Sequence, residues 1–243
     1  MTDIVLSKDT IKRLAKDVKQ IVRHPLTDDR IYYVHDEENI LRGYALIIGP
    51  VGTPYSYGNY LFKLHYPPDY PHSPPRVTYH TNDGIIRFNP NLYRNGKVCL
   101  SMLNTWIGDQ WSPCNSISSV LLTICTVFNE NPFLNEPNIQ STHPEIGVYN
   151  KILAYGNFSV AMRDVLCKDN YSKEFPRLVD IAKERFVENY SKIKEEIRKH
   201  RDGDNVENDV LQMNFYRIKT KIQYSKIEKE LDDLIKKIQI ENE

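Results

Sequence analysis

Four short runs of strand-forming residues follow one another between residues 30 and 80, and they constrain the fold more than any other feature of the chain. The runs are rich in Tyr, Val, Ile and Phe and lie near residues 30–35, 43–49, 59–65 and 75–80. Glycine and proline separate them, and the connections are short. Because strands joined by short connections usually pair with their sequence neighbours, the pattern predicts an antiparallel four-stranded meander.

Helical patterns lie on both sides of these strands. Before them, apolar residues recur at steps of three and four after Ser7, a good helix cap, and the pattern stops at Pro25. These apolar positions are Ile11, Leu14, Val18 and Ile21. After the strands, further helices are predicted near residues 115–128, 144–154 and 158–166. A helix, a sheet and more helices together indicate an α+β domain.

Beyond Pro176 the sequence becomes highly charged and carries two apolar stripes at helical spacing. The stripes comprise Leu178, Ala182, Phe186, Tyr190, Ile193 and Ile197, and then Ile227, Leu231, Leu234 and Ile238. The segment RDGDN at residues 201–205 predicts a turn between them. We therefore divide the chain into a core, residues 1–170, and a helical C-terminal extension, residues 171–243. The stripes either pack on the core as structural support, which we favour, or dock another protein.

The charge balance and hydropathy of the chain indicate the class of its partners. Its 32 basic and 32 acidic residues give a net charge of zero, which favours protein partners over nucleic acid or an anionic membrane. Charges interrupt the first twenty residues, which lack the apolar run of a signal peptide, and no later segment could span a bilayer. We therefore expect a soluble cytoplasmic protein, with the nucleus as an additional location.

The cysteines are the candidate reactive groups. Their spacing fits neither CxxC zinc sites nor a disulfide-dense scaffold, so reduced thiols are expected at Cys99, Cys114, Cys125 and Cys167. Cys99 follows a predicted Asn-Gly turn, where a nucleophile can be exposed. Asn91, in the same irregular segment, carries a side-chain amide that can donate to an oxyanion. Considered alone, however, a cysteine is more often a packing residue than a nucleophile.

A series of motifs resembles the ubiquitin-conjugating enzyme family over residues 7–168. The motifs follow the order of that family and read YPPDYPHSPPRV, NPN, NGKVCL, WSP and NEP. The chain is most similar to the larger class of the family, in which the loop after the cysteine is lengthened, here by residues 105–110. The resemblance implies the ubiquitin-conjugating fold, followed in this chain by the helical extension. We expect the lengthened loop to border the cleft and to affect which amine is accepted.

The resemblance also implies a reaction. Cys99 would accept ubiquitin or a ubiquitin-like modifier from an activating enzyme as a thioester and pass it to a lysine amine or a ligase cysteine. Free cysteine already supplies some thiolate at neutral pH, so exposure matters more than a histidine base. Asn91 would either donate to the oxyanion or brace the loop around Cys99, and both roles stay open. Glu136 would orient the incoming lysine or accept its proton, against the alternative of a solvated loop carboxylate.

The implied partners are proteins. They are ubiquitin or a ubiquitin-like protein, the ubiquitin-activating enzyme, a ubiquitin ligase and a protein substrate. The activating enzyme consumes the ATP, so no cofactor or metal is expected here. By resemblance, the basic face of the first helix docks the activating enzyme, against the alternative of a simply solvated face. One face of the helix at residues 115–128 holds the carried ubiquitin, against the alternative of a half-buried face that belongs to the core. The two faces carry Lys12, Arg13 and Lys16, and Asn115, Leu122 and Thr126.

Four positions depart from the common family pattern. Asn89 replaces the usual histidine before Pro90, which raises the question of how the loop around Asn91 is held. His72 replaces an apolar anchor for RING-type ligases, and this change argues against ordinary RING binding. Cys114 and Ser101 replace a common alanine and a common aspartate.

Two other functions compete with conjugation. A cysteine protease or deubiquitinase would need a histidine partner, and no histidine of this chain lies in a recognisable motif of that kind. An inactive conjugating-like domain that serves as a binding scaffold is the stronger alternative. The presence of both Cys99 and Asn91 argues against it, since a scaffold needs neither.

Overall fold

The computed structural model describes residues 6–241, so residues 1–5 of the predicted core and 242–243 of the predicted extension lie outside the described residues. The first helix, α1 (Lys8–Arg23), begins after Ser7, whose hydroxyl accepts a hydrogen bond from the Thr10 amide at 3.0 Å. This bond satisfies one of the amides that a helix start leaves without a partner. Leu14 and Ile21 are buried in the core, and the predicted amphipathic helix is confirmed.

Four antiparallel strands follow in the order β1-β2-β3-β4, which confirms the predicted meander. They are β1 (Ile31–His35), β2 (Arg42–Ile48), β3 (Asn59–His65) and β4 (Arg76–Tyr79). Successive strand residues point to opposite faces. On one face, Ala45 and Phe62 join a core cluster with α1 and with α2 (Ile117–Cys125). On the other, Leu46 and Leu61 join a second cluster, so this sheet is buried on both sides.

The helices predicted near residues 144–154 and 158–166 form one continuous segment, so the predicted break is wrong. The segment comprises α3 (Ile146–Gly156), a π-helical stretch (Asn157–Asp164) and α4 (Val165–Cys167). A Cβ on Gly156 would lie 2.7 Å from Ile86 Cδ1, so the glycine permits close packing. Fully buried Asn157 accepts from the Tyr60 hydroxyl at 2.7 Å and donates to the Ser56 carbonyl at 2.8 Å. The Gly-Asn pair therefore serves packing and buried hydrogen bonds here rather than a helix end.

The extension contains the two predicted striped helices and one element that the sequence pattern missed. Its helices are α5 (Asp169–Glu174), which begins two residues before the predicted boundary, α6 (Pro176–Asp204) and α7 (Tyr224–Glu241). The predicted turn at residues 201–205 is wrong, because α6 runs through residues 201–204. Asn205, which has a left-handed φ of 47°, follows as the cap of the helix. An antiparallel hairpin lies between α6 and α7, formed by β5 (Val210–Met213) and β6 (Ile218–Lys221).

The extension covers the second face of the large sheet. Leu178, Ala182 and Phe186 of α6 share an apolar cluster with Leu46 and Leu61 of the sheet. This is the supporting arrangement that we favour from the sequence. Within residues 6–241, no helix combines the length and the apolar content that a membrane crossing requires.

Candidate active site

The first residue of the NPN motif, Asn89, is fully buried and anchors the loop that carries the motif. The Asn89 side-chain amide donates to the Tyr55 hydroxyl at 3.0 Å and to the Val127 carbonyl at 2.8 Å. Its Oδ1 accepts from the Asn91 amide at 2.9 Å and from Asn135 Nδ2 at 3.4 Å. An asparagine in place of the usual histidine therefore still anchors the loop, through four polar contacts.

Asn91 and Cys99 are joined by two hydrogen bonds. The Cys99 amide donates to the Asn91 carbonyl at 2.9 Å, and the Asn91 side-chain amide donates to the Cys99 carbonyl at 2.7 Å. The structure thus brings together the two residues that the sequence singled out. Of the two roles left open for Asn91, this geometry is that of a brace, because its amide binds the backbone of the cysteine itself.

The Cys99 side chain is covered, with only 3% of the residue exposed. Its Sγ lies 3.5 Å from the Thr105 carbonyl, within reach of a weak thiol hydrogen bond. The sequence predicted a nucleophile exposed at a turn, and this exposure is not found. Thr105, the first residue of the lengthened loop, supplies this contact.

Thr105 fastens this loop to the backbone on both sides of Cys99. Its Oγ1 accepts from the Leu100 amide at 2.9 Å and lies 2.9 Å from the Val98 carbonyl. Beyond Thr105 the loop is open to solvent, and Ile107 is 90% exposed. Val98 and Thr105 also line an open cleft of about 510 Å³ beside the loop. Because neither Cys99 nor Asn91 lines this cleft, the predicted effect of the loop on which amine is accepted stays a prediction.

Glu136 lies at the end of a short 3-10 turn, and its partners come from elsewhere in the chain. The Tyr216 hydroxyl, from the connection between β5 and β6, donates to Glu136 Oε2. Arg87 Nη2 lies 4.0 Å from the same oxygen. Burial, and then the hydrogen bond to Glu136, raise the pKa of Tyr216 far above its usual value, so the phenol stays protonated as a donor. In the described part of the chain, Glu136 contacts these two side chains rather than Cys99 or Asn91.

Arg87 connects Glu136 with the active-site loop. Its guanidinium lies 3.9 Å from the ring centre of Tyr93 and 4.6 Å from that of Tyr216, so it is held against two aromatic rings. Its Nη2 donates to the Pro90 carbonyl at 2.5 Å, directly before Asn91. Arg87 was missed from the sequence although it stands two residues before Asn89. No sequence pattern identified Tyr216, because nothing near Tyr216 in the sequence indicates a contact with the distant active-site loop.

The predicted partner surfaces are only partly free. Arg13 donates to the Pro113 and Asn115 carbonyls at 2.5 and 2.6 Å, so its guanidinium is engaged within the chain. Lys12 is exposed. On α2, Leu122 is 39% exposed and therefore does not belong to the core.

The remaining thiols differ in environment. Cys114 and Cys167 are exposed and Cys125 is partly buried. Partial burial raises the pKa of the Cys125 thiol. No group of three or more His, Cys, Asp or Glu side chains within residues 6–241 is arranged to hold a metal ion.

Comparisons with known proteins indicate the family of the chain. A family model described as ubiquitin-conjugating enzyme matches residues 13–146. The proteins named Ubiquitin-conjugating enzyme E2 Z of Danio rerio and Homo sapiens are both 44% identical to the chain, over 66% and 63% of it and over 49% and 44% of their own lengths. The human Dual E2 ubiquitin-conjugating enzyme/E3 ubiquitin-protein ligase BIRC6 is 40% identical over 53% of the chain and 3% of that protein.

A solved structure of human Ubiquitin-conjugating enzyme E2 G1 aligns with a TM-score of 0.44 and 23% identity, over 51% of the chain and 97% of that structure. The chain spans about half the length of the E2 Z relatives that it matches. The family match covers more than half of the chain and includes Asn91, Cys99 and Glu136. With relatives of the larger class at 44% identity, the chain belongs to the ubiquitin-conjugating enzyme family.

Proposed function

We propose that the chain is a ubiquitin-conjugating enzyme that carries ubiquitin, or a ubiquitin-like modifier, as a thioester on Cys99. The observation that carries the proposal is the pair of hydrogen bonds between Asn91 and Cys99, at 2.7 and 2.9 Å. A cysteine that only fills space needs no side-chain amide fastened to its own carbonyl. Family membership and the names of the E2 Z relatives support the same reaction.

Loading is an exchange between the Cys99 thiol and the thioester on the activating enzyme. Cys99 Sγ, as thiolate, attacks the carbonyl carbon that joins the modifier to a cysteine of the activating enzyme. The proton of Cys99 leaves to solvent, negative charge develops on the carbonyl oxygen, and the bond to the activating enzyme's sulfur then breaks. Oriented hydrogen-bond donors stabilise such an oxyanion. An asparagine amide has two N–H groups. The Cys99 carbonyl engages one of those of Asn91, and we assign the second to the corresponding oxyanion that forms during discharge.

Discharge transfers the modifier to an amine. The amine nitrogen attacks the Cys99 thioester, an amide bond forms, and Cys99 leaves as a thiolate. We assign to Glu136 the orientation of the amine or the acceptance of its proton. Both observed contacts of its carboxylate use Oε2, so the proposal gives this task to Oε1.

The proposal defines the partners and the setting. The activating enzyme consumes ATP, so the chain requires no cofactor of its own. Ubiquitin or a relative, a ligase and a protein substrate complete the list of partners, and the reaction takes place in the cytoplasm and, as a second location, in the nucleus.

A loading assay tests the proposal. With ubiquitin, ATP and an activating enzyme, the wild type should acquire a modifier that reducing agent removes. Cys99→Ser should give an adduct that resists reductant, and Cys99→Ala should give none, whereas Cys114→Ala serves as the control and should load normally. Equal loading of Cys99→Ala would show that another thiol is the carrier.

A second function, that of an inactive scaffold which binds the modifier or a ligase, is favoured by one observation, the 3% exposure of Cys99. The same assay separates the two functions. A scaffold would bind without forming any covalent adduct.

A further inference from the structure

The connection between β5 and β6, residues 214–217, is fastened to the core near the active-site loop; we name it the hairpin tip. The Glu145 carboxylate accepts from the Asn214 amide at 2.6 Å and from the Phe215 amide at 3.3 Å. Arg94 Nη2 donates to the Tyr216 carbonyl at 2.8 Å. The hairpin tip is therefore a docked element and not a free loop.

Tyr216 contacts both Arg87 and Glu136 beside the active-site loop. Its ring lies 4.6 Å from the Arg87 guanidinium carbon, and its hydroxyl donates to Glu136. Arg87 in turn donates to the Pro90 carbonyl at 2.5 Å, while the Asn91 amide of the same peptide group donates to Asn89 at 2.9 Å. The peptide that leads into Asn91 is thus fixed at its oxygen by Arg87 and at its nitrogen by Asn89.

Two acceptors, the Pro90 carbonyl and the Glu136 carboxylate, compete for the Arg87 guanidinium. The Glu136 carboxylate is only 4.0 Å from its Nη2, close enough to compete with the Pro90 carbonyl for the guanidinium. The Tyr216 hydroxyl occupies that carboxylate, and the Tyr216 ring covers one side of the guanidinium. Without Tyr216, Glu136 would lose a donor and Arg87 would lose an aromatic partner, and both losses favour a direct Arg87–Glu136 pair.

We infer that Tyr216 is a positioning residue that holds Asn91 against Cys99 through Arg87, so that the extension completes the active-site loop. The inference rests on the proposed function, in which Asn91 stabilises the oxyanion of discharge. Loading should depend little on it, since it is governed by the reach of the thiolate. Discharge to an amine should depend on it strongly, because a misplaced reacting group slows transfer.

The test follows discharge of preloaded protein to free lysine. Tyr216→Leu keeps the apolar bulk but loses the ring and the hydroxyl, and should slow discharge about 10-fold with loading within about two-fold of wild type. Tyr216→Phe keeps the ring over Arg87 and should restore most of the rate. Tyr190→Leu is the matched control, because Tyr190 also contacts a carboxylate, Asp232, and a cation, Lys194, but within the extension. It should discharge like wild type.

The side-chain amide signals of Asn91 in NMR spectra give a second measurement that does not depend on activity. They should shift in Tyr216→Leu and stay in place in Tyr190→Leu. Slower discharge without that shift, the shift without slower discharge, or an equal effect of Tyr190→Leu would overturn the inference while leaving the proposed function intact. A wild type that never loads would overturn both.

Discussion

At the scale of single residues, Asn89 replaces the histidine that is usual in the family and still anchors the active-site loop. A buried asparagine offers two donors and an acceptor, and Asn89 uses them on Tyr55, Val127 and Asn91. What the loop needs is a fully satisfied polar side chain beneath it, not one particular residue type.

Replacing Asn89 should therefore be costly. In Asn89→Ala the Tyr55 hydroxyl and the Val127 carbonyl lose a buried partner, and we expect the free energy of unfolding to fall by about 2–4 kcal/mol. Urea denaturation measures this change. The control is Asn95→Ala, at an exposed turn with one local hydrogen bond, which should cost less than about 1 kcal/mol. Equal losses in the two variants would contradict the importance of the buried network.

The site was predictable from the sequence as far as its contacts are local. Asn91 and Cys99 are eight positions apart, and the turn between them is enough to bring the two residues near each other. Arg94 and Tyr216 are 122 positions apart, and their contact depends on the path of the whole extension. The cover over Cys99 was also beyond prediction, because it depends on how far the loop folds back.

At the scale of elements, the loop after Cys99 decides access to the thiol. Thr105→Val keeps the shape of the side chain but removes the acceptor of the Leu100 amide. The loop should then open more often, and alkylation of Cys99 by iodoacetamide should become about 3–10-fold faster. Mass spectrometry of the Cys99 peptide measures this rate. Thr105→Ser keeps the hydroxyl and should behave like wild type; an unchanged rate in Thr105→Val would mean that Thr105 is not the fastening of the loop.

Strand β1 ends in a histidine that makes stability depend on pH. His35 Nδ1 lies 2.7 Å from the Tyr33 hydroxyl, and burial lowers the pKa of His35. The unfolded chain therefore binds this proton at a higher pH than the folded chain does. Stability is unaffected above the unfolded pKa of about 6.5 and falls as the pH drops below it towards the lower folded pKa.

We expect wild type to lose more thermal stability between pH 7.5 and pH 5.5 than His35→Gln does, as measured by the melting temperatures of both proteins. Exposed His24 provides the control, and His24→Gln should follow wild type. Parallel curves for wild type and His35→Gln would refute this assignment.

The elements also show which signals a sequence carries. The meander, α1 and the stripes of α6 and α7 follow periodic apolar patterns, and these patterns are what packing requires. The hairpin has strands of only four residues, and its connection at residues 214–217 contains no glycine or proline. Its stability comes from contacts with the core, such as that of Phe133 with Phe215, and no local pattern reports such contacts.

At the scale of the whole molecule, the large sheet has two buried faces and the extension supplies the cover of one. Phe186 of α6 is 3% exposed and shares a cluster with Leu46, Ile48 and Leu61. Deleting residues 171–243 would uncover these sheet residues, so any loss of transfer would report on folding as much as on docking. A single substitution is the sharper test.

Phe186→Ala should lower the free energy of unfolding by about 3–5 kcal/mol, because it leaves a cavity between α6 and the sheet. Ile240→Ala, at a residue that is 72% exposed, is the control and should change it by less than about 0.5 kcal/mol. Chemical denaturation followed by circular dichroism measures both. A cost for Phe186→Ala as small as that of the control would mean that the extension is not part of the cooperative fold.

The long separation of Arg94 and Tyr216 also has a consequence for biosynthesis. A ribosome synthesises Arg87, Asn91 and Cys99 well before it adds Tyr216. The nascent chain therefore passes through a period in which Cys99 is present but Tyr216 is not. The NPN loop acquires its final support only after translation has passed the hairpin. A truncated mRNA that ends after α6 would yield a protein that contains Cys99 but lacks the hairpin tip.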